Sequence, residues 1–168
     1  MSSKNLEPQE IYVLKMKEVS ERLGVCEAFL SDYNRTKNIY FLESAILQLR
    51  KSLESISLAA IAPNKKAYEK LRNEAEKPAD YRKDYNGRKI LQLLRSINND
   101  FYPKPLLPPT KADEKRHFER KIEGFLTEKK FEAIYDRLGK YLHSDNPWGN
   151  NKCINNMVAN IPIILYEI

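Results

Sequence analysis

The sequence has few of the residues from which metal sites, phosphate loops and disulfide scaffolds are built. Its 168 residues include 2 cysteines, 2 histidines and 5 glycines. Two cysteines form at most one bridge, which excludes a disulfide-stabilised scaffold. Cys26 and Cys153 stand alone and His117 lies far from His143, so no zinc-binding motif is present. The scattered glycines form no phosphate-binding loop. We expect no bound cofactor and no dedicated metal cage, although carboxylates that meet only in the folded chain could still bind Mg²⁺.

Long apolar runs are absent as well. No run approaches the roughly 18 residues that a membrane-spanning helix requires, and the N-terminal residues MSSKNLEPQEIY lack the apolar stretch of a signal peptide. We therefore expect a cytoplasmic protein with no membrane segment. Apolar residues make up 42% of the chain, which is enough for one core. We expect a single domain over residues 1–168. Because the sequence ends in an apolar stretch at Ile168, we expect either that the domain is cut from a longer protein or that this end is buried in a core or a partner.

The chain is rich in helical periodicity and predicts an all-α fold. Within residues 39–62 the apolar side chains recur at intervals of three and four, which predicts a long helix that forms the spine of a helical bundle. Pro63 should end this helix, and Gly24 should end the first one. The predicted helices cover residues 8–23, 39–62, about 65–76, about 86–99, about 111–125, about 127–143 and about 152–161.

The segments between these helices carry turn and extension signals. Four prolines in residues 100–110 predict a rigid, extended loop inside the domain. Thr110 and Asp113 resemble a capping box that would open the helix at 111–125. Residues 163–167, after Pro162, could form a short strand. The inward-facing side chains of the 111–125 helix would be Phe118, Ile122 and Phe125.

The positive charge is concentrated in one segment. The chain has a formal net charge of +6, and residues 64–95 alone contain ten basic and five acidic side chains. Such a segment attracts a polyanion such as RNA, and Tyr68, Tyr81 and Tyr85 could stack on unpaired bases or form the rim of a core. The alternative is an ordinary solvated face of helices rich in lysine and glutamate. The candidate RNA-binding residues are Lys65, Lys66, Arg82, Lys83, Arg88 and Lys89.

A second feature is an arginine followed, after five residues, by a histidine near the end of the predicted helix 127–143. At 100° per residue, Arg137 and His143 both point away from the predicted core of the domain. Asp136, Lys140 and His143 share the outward face, since 136 and 143 are two turns apart. A surface histidine that simply caps the end of a helix is the alternative interpretation. The predicted buried face consists of Phe131, Ile134, Leu138, Tyr141 and Leu142.

Arg137 and His143, at this spacing on the penultimate helix, resemble the R-x4-6-H motif of the HEPN superfamily. These helical-bundle domains occur in RNA-cleaving toxins, phage-defence proteins and CRISPR-associated ribonucleases. In many active members a polar residue follows the arginine, whereas here the position is Leu138. The resemblance implies a metal-independent endoribonuclease that acts as a homodimer in a toxin–antitoxin or antiviral defence system, with RNA as substrate and an antitoxin or another defence protein as partner.

The resemblance also implies roles for individual residues. His143 would move protons during attack by the 2′-hydroxyl, and Arg137 would stabilise the charge that develops on the phosphate. Lys140 would add to the positive field at the phosphate, and Asp136 would support the pair. A polar residue of the spine helix would support the pair of Arg137 and His143. The candidates for this residue are Glu43, Arg50 and Glu54.

Two other functions fit the sequence. In one, the chain is a non-catalytic helical domain that binds RNA or nucleotides through residues 64–95. In the other, it is a helical interaction module whose apolar C-terminal segment docks onto another protein. The first predicts that the chain binds RNA in a salt-dependent way but does not cleave it. The second predicts that the chain neither binds RNA in this way nor cleaves it.

Overall fold

The computed structural model describes residues 6–112, 115–144, 146–149 and 153–168, and it confirms the all-α fold class. The strands in this part of the chain are β1 (Thr110–Ala112) and β2 (Lys115–His117), which form one antiparallel hairpin. None of the helices in these ranges is both long enough and apolar enough to cross a membrane. The helices are α1 (Pro8–Thr36), α2 (Ile39–Ile61), α3 (Lys65–Asn73), α4 (Gly87–Ile97), α5 (Glu128–Tyr141) and α6 (Ile154–Glu167), with short 3₁₀ turns at Ala62–Asn64 and Tyr81–Lys83.

Helix α2 is the spine of the bundle, as its apolar spacing predicts. The Asn38 side chain caps its start by accepting a hydrogen bond from the Tyr40 backbone at 3.1 Å. The helix packs against α1 on one side and against α4 and α5 on the other, with α6 also in contact. Its buried side chains belong to one hydrophobic cluster shared by all these helices. The predicted stripe of Leu42, Ile46, Leu49, Leu53, Ile56 and Ala60 is buried throughout.

The prediction that Gly24 ends the first helix is wrong. Helix α1 continues through Gly24 to Thr36 and ends where Lys37 adopts a left-handed conformation, with φ of 56°. A glycine inside a helix costs about 1 kcal/mol, but Cys26 and Leu30 are buried in the core beyond it. Their burial against the rest of the bundle offsets that local cost.

The predicted helix at 111–125 is also wrong. The chain instead doubles back as the β1–β2 hairpin, and the pairing extends to a bridge between Leu106 and Arg120. The prolines of residues 100–110 keep this segment non-helical, as predicted, and its extended backbone pairs with the segment that follows. Phe118 and Ile122, expected to face the core, are exposed, Ile122 to 88%. The expected cap at Asp113 lies outside the described residues.

Helix α6 also differs from its prediction. It runs through Pro162 to Glu167, so the expected strand at 163–167 does not form. Ile161 and Ile164, on either side of the proline, are buried in the core. Because both side chains reach the core only if the helix continues, tertiary packing overrides the local preference of proline. The other helices end within about three residues of their predicted bounds.

Candidate functional site

The candidate catalytic residues lie on the outward face of α5. Thr127 caps the start of this helix by accepting a hydrogen bond from the Lys130 backbone at 3.3 Å. The buried face of α5 consists of Phe131, Ile134, Tyr135 and Leu138, and the last turn adds Tyr141 and Leu142, which are half-buried. Arg137, Lys140 and His143 are all exposed.

Arg137 lies within α5, whereas His143 lies just beyond its end. If the helix continued to His143, six residues would separate the two side chains by about 120° around the axis and about 9 Å along it. His143 directly follows Leu142, the residue that caps the end of α5. Among the described residues Arg137 forms no ion pair. A flexible arginine can lean along the helix, so its guanidinium is available to an anion that approaches the C-terminal half of α5.

Asp136, expected to support the pair, is held by α4. Its carboxylate forms an ion pair with Arg88, and Arg88 Nε also lies 3.6 Å from Glu132 Oε2. Arg95 Nη2 contacts Glu128 at 2.5 Å and Glu132 at 3.0 Å further along the same two helices. These ion pairs show that α4 and α5 run antiparallel, with the start of α4 beside Asp136.

Two of the spine-helix candidates contact α5 directly. Arg50 Nη1 donates a hydrogen bond to the backbone oxygen of Tyr135 at 2.7 Å, and its guanidinium lies 3.8 Å from the centre of the Tyr135 ring. The Tyr135 hydroxyl donates to Glu54 Oε1 at 3.0 Å, and Arg50 Nε lies 3.5 Å from the same oxygen. Burial raises the pKa of the Tyr135 hydroxyl, and the nearby Glu54 carboxylate acts in the same direction. We call this group the Arg50 clamp.

The Arg50 clamp has room for its guanidinium because residue 139 is a glycine. A Cβ atom at position 139 would lie only 2.6 Å from Arg50 Nη1. The sequence does not mark Gly139 or Tyr135 as part of a functional cluster, although a glycine inside a predicted helix often has a packing reason. The third candidate, Glu43, is exposed and stands apart from the clamp, two turns before Arg50 on α2. Because α2 and α5 run antiparallel, Glu43 lies toward the end of α5 that carries His143.

The six candidate RNA-binding residues are all exposed, but they differ in their partners. Arg82 is bound by Asp80, with Nε to Oδ1 at 2.8 Å, and this contact raises the pKa of Arg82 and lowers that of Asp80. Arg88 is bound by Asp136. The remaining four form no ion pair within the described ranges, although the charge of Lys83 helps to lower the pKa of Asp80. They are Lys65 and Lys66 on α3, Lys83 in the 3₁₀ turn and Lys89 in the first turn of α4.

The tyrosines of the basic segment have different environments. Tyr68 is buried in the core and donates a hydrogen bond from its hydroxyl to Asp84 Oδ2 at 2.9 Å. Tyr81 is half-buried beside it, with the two rings edge to face. Tyr85 is 76% exposed. Only Tyr85, of these three, therefore presents its ring to a ligand from solvent.

The basic segment and the outward face of α5 adjoin one another, because the Arg88–Asp136 ion pair joins them. Within the part of the chain that the structure describes, no group of three or more histidine, cysteine, aspartate or glutamate side chains could hold a metal ion. Comparison with protein-family models, with curated proteins and with solved structures finds no match to this chain.

Proposed function

We propose that the chain is a metal-independent endoribonuclease of the HEPN type, with Arg137 and His143 at the reacting phosphate. The observation that supports this most is the position of the basic segment. Its α4 end packs beside α5, where Arg88 pairs with Asp136, so the exposed Lys89 at this end of α4 lies beside the helix that carries the exposed Arg137 and Lys140. RNA held by the lysines of the basic segment would pass the candidate catalytic residues.

In the proposed reaction the ribose 2′-oxygen bonds to the adjacent phosphorus, and the bond from that phosphorus to the 5′-oxygen of the next nucleotide breaks. One proton leaves the 2′-hydroxyl and one is gained by the 5′-oxygen, so the reaction consumes no net proton. An imidazole can accept and donate protons near neutral pH, which suits His143 to this transfer. The guanidinium of Arg137 would stabilise the charge on the phosphorane oxygens, with Lys140 beside it.

The proposal includes a homodimer. Because Arg137 lies within α5 and His143 lies just beyond its end, one chain does not present the two side chains on a single face of the helix. A second copy facing the first would supply the complementary group to the same phosphate. A role in a toxin–antitoxin or antiviral defence system, with an antitoxin or defence partner in the cytoplasm, completes the proposal and rests on the resemblance of the motif.

Single-turnover cleavage of a labelled single-stranded RNA in EDTA tests the proposal. His143→Ala should slow cleavage by about 10²–10⁴-fold and Arg137→Ala by about 10²–10³-fold. Lys129→Ala, which removes another exposed cation of α5, is the matched control and should cleave at the wild-type rate. An RNA with a 2′-deoxyribose at the cleavage site should resist all four proteins.

The non-catalytic alternatives predict different results. An RNA-binding domain without catalysis would leave the RNA intact and would bind it equally well after Arg137→Ala and His143→Ala. A protein-interaction module would not bind RNA in a salt-dependent way. Cleavage that is undiminished in both variants would overturn the assignment of Arg137 and His143.

A further inference from the structure

A cavity of about 240 Å³ opens just before α4. Its floor contains Tyr68 and Ile90, which belong to the core, and its rim contains the exposed side chains of Lys83, Tyr85 and Lys89. This volume is below the roughly 300–1,000 Å³ of sites for drug-sized molecules. The cavity is therefore the size of a site for one flat group rather than for a whole cofactor.

The charges around the cavity favour an anion. Asp84 is the one acidic residue of the lining, and its carboxylate already accepts hydrogen bonds at 2.9 Å from Arg72 Nη2 and from the Tyr68 hydroxyl. Its negative charge is thereby compensated inside the protein. Lys83 and Lys89 form no ion pair in the described part of the chain, and Asp80, which Lys83 approaches, is already paired with Arg82, so the rim carries a net positive charge.

The aromatic ring at the rim adds a second kind of recognition. Tyr85 is 76% exposed and lies between the two lysines in sequence. Exposed rings beside cationic side chains are the usual platform for unpaired bases, and each stacked base contributes about 1–3 kcal/mol. Phosphate-binding lysines next to such a ring match a nucleotide better than they match a simple anion or an acidic peptide.

The cavity also lies close to the surface of α5. Arg88, one residue before Lys89, is paired with Asp136, and α4 and α5 run antiparallel. The residues before α4 therefore lie toward the C-terminal half of α5. The start of α4, where the cavity opens, therefore lies nearer to the end of α5 that precedes His143 than to the beginning of α5.

From these observations we propose that the cavity binds one nucleotide of single-stranded RNA, with the base stacked on Tyr85 and the flanking phosphates contacted by Lys83 and Lys89. This assignment of a binding site does not require that the protein cleaves RNA. The role of the cavity as an anchor for the strand that passes His143 rests on the proposed function.

Fluorescence anisotropy with a labelled oligouridine of about ten nucleotides tests the proposal. The titrations use the His143→Ala protein, so that the probe stays intact. Adding Tyr85→Ala should weaken binding by about 5- to 150-fold. The matched control is Tyr40→Ala, which removes a tyrosine that is 71% exposed at the start of α2 and should leave the Kd unchanged.

The lysines are tested through the salt dependence of binding. Replacing Lys83 and Lys89 together by alanine should reduce the slope of log Kd against log salt by about 1.4, the value for two phosphate contacts on a single strand. The pair Lys65→Ala and Lys66→Ala removes the same charge from α3 and should change the slope less. Equal effects of the two pairs, or equal Kd values for the Tyr85→Ala and Tyr40→Ala proteins, would overturn the site.

A competition with uridine monophosphate separates RNA from free nucleotides. RNA binding predicts that the monophosphate competes only at far higher concentration than the oligouridine. Equal affinities would overturn the RNA assignment in favour of a free-nucleotide site. If binding depends on Tyr85 but the wild-type protein does not cleave RNA, the cavity assignment stands and the proposed catalysis fails. If the protein cleaves RNA and Tyr85→Ala changes neither Kd nor KM, only the cavity assignment fails.

Discussion

Arg50 of α2 is joined to Tyr135 of α5 by two contacts, a hydrogen bond of 2.7 Å to the backbone oxygen and a guanidinium stacked 3.8 Å from the ring centre. A charge-assisted hydrogen bond and a cation–π contact at one residue hold the two helices at a fixed distance and rotation. The rotation of α5 decides which of its side chains face solvent. The Arg50 clamp therefore controls the presentation of Arg137, Lys140 and His143.

Substitution of Gly139 tests the clamp. Gly139→Ala should lower the free energy of unfolding by about 1 kcal/mol, because the new Cβ would lie 2.6 Å from Arg50 Nη1 and displace it. In an Arg50→Ala background the same substitution should raise the free energy of unfolding by about 0.5–1 kcal/mol, since alanine favours the helix and the clash is gone. Urea denaturation of the four proteins measures both values. Changes of the same sign in both backgrounds would contradict the contact.

The Arg72–Asp84 ion pair should be a main source of stability near the cavity. The two side chains are only 13% and 15% exposed, and the buried Nε of Arg72 has no hydrogen-bond partner in the described residues. Asp84→Asn removes the charge that compensates Arg72 and should lower the free energy of unfolding by about 2–3 kcal/mol. The control is Glu74→Gln in the exposed Lys70–Glu74 pair, which should cost less than about 0.5 kcal/mol. Equal losses in thermal or urea unfolding would show that burial of the pair contributes nothing.

Glu18 should make the stability of the chain sensitive to acid. A hydrogen bond from Lys15, together with Arg22 at 2.7 Å, lowers the pKa of this carboxyl from 4.5 to about 2. A group whose pKa is lower in the folded chain stabilises it fully above the unfolded value and loses this effect as the pH falls through the folded value. The window is therefore between pH 4.5 and about 2.

Glu18→Gln should accordingly lower the free energy of unfolding at pH 7 by about 1 kcal/mol, a small value because the side chain is 30% exposed. The difference between the variant and the wild type should shrink as the pH falls below 4.5 and should vanish only below about 2. Urea denaturation of both proteins at a series of pH values measures this difference in the free energy of unfolding. Glu21→Gln, in the more exposed Lys17–Glu21 pair, is the control. A difference that does not depend on pH would refute the role of Glu18.

Pro162 should weaken the helix that contains it. It lies inside α6 and is exposed, so it removes a backbone hydrogen bond without adding a buried contact. Pro162→Ala should raise the free energy of unfolding by about 1–2 kcal/mol, after allowing for the greater entropy of the unfolded chain. Pro8→Ala, at the first residue of α1, should give no gain, because proline is well suited to that position. A loss of stability in Pro162→Ala would indicate that α6 depends on the proline for its path.

The sequence predicted the helices whose apolar residues are spaced periodically. It did not predict the helix ends and the strand pair that depend on contacts between distant segments. Helix α2 follows from the spacing of its apolar residues, and Thr127 and Pro63 mark neighbouring helix ends as expected. Gly24 and Pro162 are signals of helix ends that the fold overrides, because Cys26 and Ile164 beyond them are buried in the core. The pairing of β1 with β2 depends on contacts between two segments, which helical periodicity does not detect.

In the candidate site, too, the sequence predicted some properties and not others. The helical repeat placed Arg137 and His143 on the outward face of α5, and the structure has both side chains exposed. It could not show that Asp136 is bound by Arg88, or that Tyr135 and Gly139 receive Arg50. Each of these contacts joins residues at least 48 positions apart in the chain.

The sequence by itself determined an all-α chain, its spine helix, the surplus of positive charge in residues 64–95 and the outward direction of Arg137 and His143. These properties depend on composition and on the 3.6-residue period, which are local. Only the tertiary structure decided which cations pair with carboxylates and which do not. It also decided which tyrosine faces solvent and how the basic segment packs beside α5. Such properties depend on which side chains from distant segments come within hydrogen-bonding distance, and that is set by the packing of α2, α4 and α5 around one core.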